Sequence, residues 1–158
     1  MQIDDNSPRV RFPPPLVFIG TLLAGMALEK WMGSPEIPLI GYGLLHTLGM
    51  LAVVLGIGII LSAHGLFFRS KTDTRPWKAS DTLVIEGVYK WTRNPMYLGM
   101  ALTYAGIAML LDSLTVLGLL VPVIVIITRE VIEPEEAYLE RRFGEPYRAY
   151  RASVRRWI

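Results

Sequence analysis

Residues 39–68, LIGYGLLHTLGMLAVVLGIGIILSAHGLFF, run without one Asp, Glu, Lys or Arg. As a helix the stretch would reach about 45 Å at 1.5 Å per residue, more than the roughly 30 Å of bilayer hydrocarbon. It should therefore cross a membrane and either tilt or protrude. Ahead of it, residues 16–32 form a shorter apolar stretch, with Glu29 and Lys30 marking its far end. Behind it, residues 96–111 and 114–128 are separated only by Asp112-Ser113. So short a link makes an antiparallel hairpin, and Pro122 is expected to kink its second arm. A re-entrant hairpin that never fully crosses is the rival reading. Basic residues flank both open ends of this pair and none sits at its turn, which favours full crossing. The expected fold class is an all-α membrane protein of about four transmembrane helices with a C-terminal helical segment, one domain over residues 1–158.

The distribution of charge says more than its total. Net charge is only +2, and hydrophobic residues make up 52% of the 158. Of the 16 Lys and Arg residues, all but Lys30 fall in the N-terminal segment, in the connection between the second and third spans, or in the tail. By the positive-inside rule, both termini and the long connection lie in the cytoplasm, and the protein is integral and multi-pass. A cleaved signal peptide is the alternative for the first span, with Arg9 and Arg11 as its basic end and small residues at 24–27. We expect a retained span, and either outcome leaves the remaining orientation unchanged.

The chain has no cysteine, which excludes a disulfide framework, a thiolate metal site and a cysteine nucleophile. His46 and His64 share one helix face but would stand about 27 Å apart, so no common metal is expected. Small residues inside the spans (Gly49, Gly56, Gly99, Gly106) should let helices approach closely in lipid. The expected partners are the bilayer and a lipophilic or small-molecule ligand, not nucleic acid. Nothing in the sequence selects an oligomeric state.

Two segments combine polar chemistry with the membrane surface. Residues 81–97, DTLVIEGVYKWTRNPMY, lead directly into the third span. Tyr89, Trp91 and Tyr97 near Arg93 could simply be interfacial anchors. Asn94-Pro95 could also open a helix, with Asn94 as cap and Pro95 as first residue, leaving an N-terminus suited to an anion. After the fourth span, residues 129–136 read REVIEPEE, with four carboxylates beside an apolar helix. They are either a solvated helix start or a functional cluster. Glu135 and Arg93 would lie at the cytoplasmic mouth of the bundle, where opposite charges can pair. The remaining tail, basic and aromatic, is expected to lie along the membrane face.

GVYKWTRNPMYLG, followed about 35 residues later by EPEEAYLERRFGEPYRAYRASVRRW, resembles the isoprenylcysteine carboxyl methyltransferases and the related phospholipid methyltransferases over residues 81–157. Their pattern is Arg-His-Pro or Arg-Asn-Pro, then x-Tyr-x-Gly, a helical hairpin, and a Glu-Glu pair leading to Phe-Gly-x-x-Tyr. The resemblance implies an S-adenosylmethionine-dependent methyltransferase. It implies cofactor contacts at Asp81, Thr82, Leu83, Val84, Tyr89, Asn94, Pro95, Met96 and Tyr97, with Arg93 and Glu135 catalytic. Glu135 and Arg129 would meet the acceptor. The prenylcysteine branch has His in place of Asn94 and an acceptor-binding arginine in place of Val131. An NADPH-dependent membrane reductase of the sterol type and a non-catalytic bundle are the rival functions.

Overall fold

The computed structural model describes residues 10, 12–33, 35, 37, 41–69 and 83–158, the side chains of 67–69 excepted. All regular structure among them is helical: α1 (Pro14–Met32), α2 (Tyr42–Arg69), a 3-10 turn (Gly87–Lys90), α3 (Pro95–Leu110), α4 (Leu114–Ile127), a π turn (Thr128–Ile132), α5 (Glu133–Phe143) and α6 (Glu145–Ser153). Three runs are long and apolar enough to cross a membrane: Pro14–Met32, Tyr42–Leu66 and Leu114–Phe143. The fourth, α3, is apolar but shorter; its 16 residues rise about 24 Å. Large apolar side chains such as Leu16, Leu23, Leu44, Leu51, Leu55 and Val121 point outward from the bundle. In water such a surface would drive association, whereas in lipid it is the solvated face.

The hairpin of α3 and α4 runs the full length of the bundle. Asp112, with φ of 50°, makes the tight turn, and Ser113 caps α4 by accepting the Val116 N–H at 3.1 Å. The tip is tied to the connection between α1 and α2: Asp112 Oδ1 accepts the Ile37 N–H at 3.0 Å, and the Leu114 N–H reaches the Pro35 carbonyl at 3.3 Å. It thus reaches the end where α1 stops and α2 begins.

Glycine sets the closest helix contact. α2 and α3 pack antiparallel with Gly56 against Gly99 and Gly49 against Gly106. A Cβ on Gly99 would lie 2.6 Å from the Gly56 carbonyl oxygen, and one on Gly106 would lie 2.6 Å from that of Gly49. Backbone meets backbone here, so nothing soft can give way. Gly99→Ala is expected to cost about 1–3 kcal/mol through overpacking. Gly58→Ala, with nothing within 4 Å of its Cβ, should be neutral or slightly stabilising. Equal thermal melting of the two variants in detergent would contradict this packing.

Beyond α4 the structure departs from the sequence-based picture. Pro122 lies inside α4, and the helix changes type at the π turn just ahead of Pro134. In an α-helix Pro134 would leave the carbonyl four residues back unpaired and its ring would collide with it. The wider turn relieves that conflict, and its extra residue shifts the phase of all that follows by about 100°. Without it, Glu135 would lie about 80° from the inward-facing Ile127; with it, about 20°. The tail also packs on the bundle. After Gly144 it turns into α6, and Tyr147 and Tyr150 are buried against Tyr89 and Ala63.

Candidate active site at the capped end of the bundle

The 3-10 turn, the start of α3, α5 and α6 converge on one small cavity of about 60 Å³. Its walls come from Leu83, Val84 and Tyr89, from Arg93 through Tyr97, from Glu135, Glu136 and Leu139, and from Tyr147 and Tyr150. Seven of the nine residues expected at a cofactor therefore line it, together with Arg93 and Glu135. Asp81 and Thr82 lie outside the described residues. Arg129 is exposed on the π turn and does not border the cavity. The aromatic segment divides in two: Trp91 is 83% exposed, as an interfacial anchor would be, while Tyr89 and Tyr97 turn inward.

The two neighbouring carboxylates have different surroundings. Glu135 Oε2 accepts a hydrogen bond from the Tyr97 hydroxyl at 3.0 Å. It borders the cavity with no cationic partner among the described residues, so a bound cation would find a carboxylate there. Glu136 is buried and fully paired instead. Arg156 Nε and Nη2 meet its two oxygens at 3.0 and 2.8 Å, and Arg93 Nη2 stands 3.3 Å from Oε1. Arg93 thus pairs with the second glutamate, not with Glu135.

Arg93 retains capacity for a ligand. Its Nε and Nη1 are buried with no acceptor at hydrogen-bonding geometry among the described residues. Buried donors of a charged group left in that state are costly, so the site suits an incoming anion. Tyr147 lies beside this group, and burial, then the Glu136 charge, push its phenol up to about 12 against the pull of Arg93. Asn94 occupies the cap position of α3, but its side chain caps nothing: Nδ2 donates to the Arg156 carbonyl at 3.0 Å. The first-turn amides of α3 therefore have no side-chain cap.

Arg156, Thr92 and Tyr150 were not singled out from the sequence, and Glu136 and Tyr147 entered only as members of the Glu-Glu and Phe-Gly-x-x-Tyr patterns, with no role given. The 147/150 spacing on a short helix was the available signal, since i and i+3 share a face. Nothing in the tail's run of arginines marks Arg156 as the one that turns inward.

Comparison with known proteins agrees with the geometry. The sequence matches the phospholipid methyltransferase family over residues 44–146, which takes in α2 through α5. A Haemophilus influenzae protein described as uncharacterized is 41% identical over 64 residues, covering 40% of this chain and 100% of the relative. No solved structure matches. The family match spans well over half the chain and includes most of the cavity, and the apolar helices around it make this an integral membrane protein: the chain belongs to the phospholipid methyltransferase family.

Proposed function

We propose that this membrane methyltransferase takes its methyl group from S-adenosylmethionine and passes it to a lipid-soluble or small acceptor at the cytoplasmic face. The observation that carries the reading is the pair of unmatched Arg93 donors set beside the Tyr97–Glu135 hydrogen bond, inside the matched segment. Arg93 and the uncapped amides of α3 suit a carboxylate. Glu135 suits an ammonium or sulfonium, and Tyr89, Tyr147 and Tyr150 offer an aromatic wall. Bound there, the cofactor would supply a methyl group on positively charged sulfur. The residues would align donor and acceptor, hold charge in place and exclude water, with Glu135 able to take a proton from an amine.

The acceptor side is apolar. A groove of about 330 Å³ runs along α1 and α3, bordered by Phe18, Leu22, Met100, Tyr104 and Ile107. Met100 and Tyr104 lie one and two turns along α3 from Tyr97, so an acyl or prenyl chain in the groove would bring its head towards Glu135. Val131, where the prenylcysteine branch has arginine, is buried and offers no charge to a free carboxylate. A lipid amine or another uncharged nucleophile fits this site better.

Calorimetry on the purified protein should show S-adenosylmethionine or its demethylated product binding more tightly than NADPH. Binding of NADPH alone would support the reductase reading, and binding of neither would support a non-catalytic bundle. The orientation rests on the distribution of Lys and Arg along the sequence. Reporters fused at both termini should give a cytoplasmic signal and one inserted at Asp112 the opposite; a cytoplasmic signal at Asp112 would refute it.

A further inference from the structure

Two guanidiniums share one buried carboxylate at the edge of the cavity. Arg156 Nε and Nη2 take the two oxygens of Glu136 at 3.0 and 2.8 Å, while Arg93 reaches Oε1 through Nη2 alone at 3.3 Å. The Arg93 edge that carries Nε and Nη1 is left without an acceptor among the described residues, although that side chain is only 10% exposed. A guanidinium and a carboxylate in contact frequently pair through two parallel hydrogen bonds. Glu136 does so with Arg156, which is 31% exposed, and not with the more deeply buried Arg93. The neutral Tyr147 phenol lies beside Arg93, and a carboxylate is the stronger acceptor.

Arg156 borders no part of the cavity and lies beyond residues 44–146, the part matched to the family. Its backbone is fixed on both sides. Val154 packs with Tyr89, Tyr147 and Tyr150, and Trp157 packs against the main core. The Arg156 carbonyl accepts the Thr92 hydroxyl at 3.1 Å and Asn94 Nδ2 at 3.0 Å. The side chain is therefore delivered to Glu136 by a backbone whose anchors do not depend on it. We propose that Arg156 is a positioning residue: by holding both Glu136 oxygens, it keeps the open edge of Arg93 available to a ligand carboxylate. This rests on reading the cavity as the cofactor site, the ligand group being the amino-acid carboxylate of the methyl donor. Without the Arg156 side chain, Glu136 would turn both oxygens to Arg93 and occupy the edge that the ligand needs. Charge acts in the same direction. Two guanidiniums against Glu136 leave a net positive charge for an incoming anion, and one guanidinium leaves none.

Calorimetry on the full-length protein in detergent compares S-adenosylhomocysteine with its decarboxylated analogue, which keeps the nucleoside, the thioether and the amine. The ratio of the two affinities isolates the carboxylate. Arg156→Gln should lower that ratio about 10- to 150-fold, the value of a charge-assisted hydrogen bond, while the analogue binds as before. Arg156→Lys, which keeps the charge without the fork, should lower it less, and decides the matter if Arg156→Gln does not fold. Adding Glu136→Gln to Arg156→Gln should restore much of the ratio, because an amide competes for Arg93 less well than a carboxylate. General damage to the site would weaken both ligands together and the double variant further, and that result would overturn the role of Arg156. A ratio unchanged in both single variants, or a wild type that binds the two ligands equally, would overturn it as well. A wild type that binds neither ligand would overturn the cofactor reading and this role with it, so the two failures are told apart in the wild-type sample.

Discussion

Glu136→Ala is expected to destabilise the protein more than any other single change at the capped end. The carboxylate is almost fully buried and neutralises Arg93, whose side chain is 10% exposed, as well as Arg156. Removing one member of a buried charge cluster leaves the others unpaired, which typically costs about 3–5 kcal/mol. The lower end of that range applies here, because Arg156 can turn towards water. Thermal unfolding in detergent should show a clear drop in melting temperature. Glu136→Gln should fall between wild type and alanine, since the amide oxygen still accepts one hydrogen bond. A melting curve unchanged by Glu136→Ala would mean that the cluster contributes nothing to the fold.

Glu135→Gln should produce the opposite pattern: a fold retained and activity lost. The side chain borders the cavity and accepts from the Tyr97 hydroxyl, which can donate equally well to an amide oxygen. Transfer of labelled methyl to a membrane lipid extract should fall about 10- to 150-fold, the loss of a charge-assisted hydrogen bond. Arg93→Lys should also impair turnover, because the planar fork is lost while the charge stays. Full turnover in Glu135→Gln would remove Glu135 from the reaction.

Much of the architecture was legible because a bilayer imposes a simple rule. Backbone groups in hydrocarbon must pair within their own segment, so long uncharged runs become helices and charges mark their ends. Residues 39–68, the pair of spans around Asp112-Ser113 and the small residues of α2 and α3 were readable in that way. The spacing of Arg93-Asn94-Pro95 from the Glu135-Glu136 pair likewise carried the family resemblance. These are local patterns or matters of composition, and one dimension is enough to hold them.

What each glutamate does was decided only in three dimensions. Glu135 and Glu136 are adjacent and chemically identical and both border the cavity; the family resemblance singled out Glu135, but no property of the two side chains says which meets Tyr97 and which meets two arginines. The π turn sets that assignment by shifting the phase of α5, and Pro134 marks where a regular helix cannot continue without saying how the chain responds. Arg156 lies 20 residues beyond its partner Glu136, and many arginines of the tail could have filled that place. Only the Gly144 turn and the packing of Tyr147 and Tyr150 against the 3-10 turn bring the chain end back over Asn94. Membrane crossing follows from the free energy of each segment in lipid, which the sequence by itself determines. The site depends on long-range contacts among segments that have no fixed relation until the bundle has packed, and only the tertiary structure supplies them.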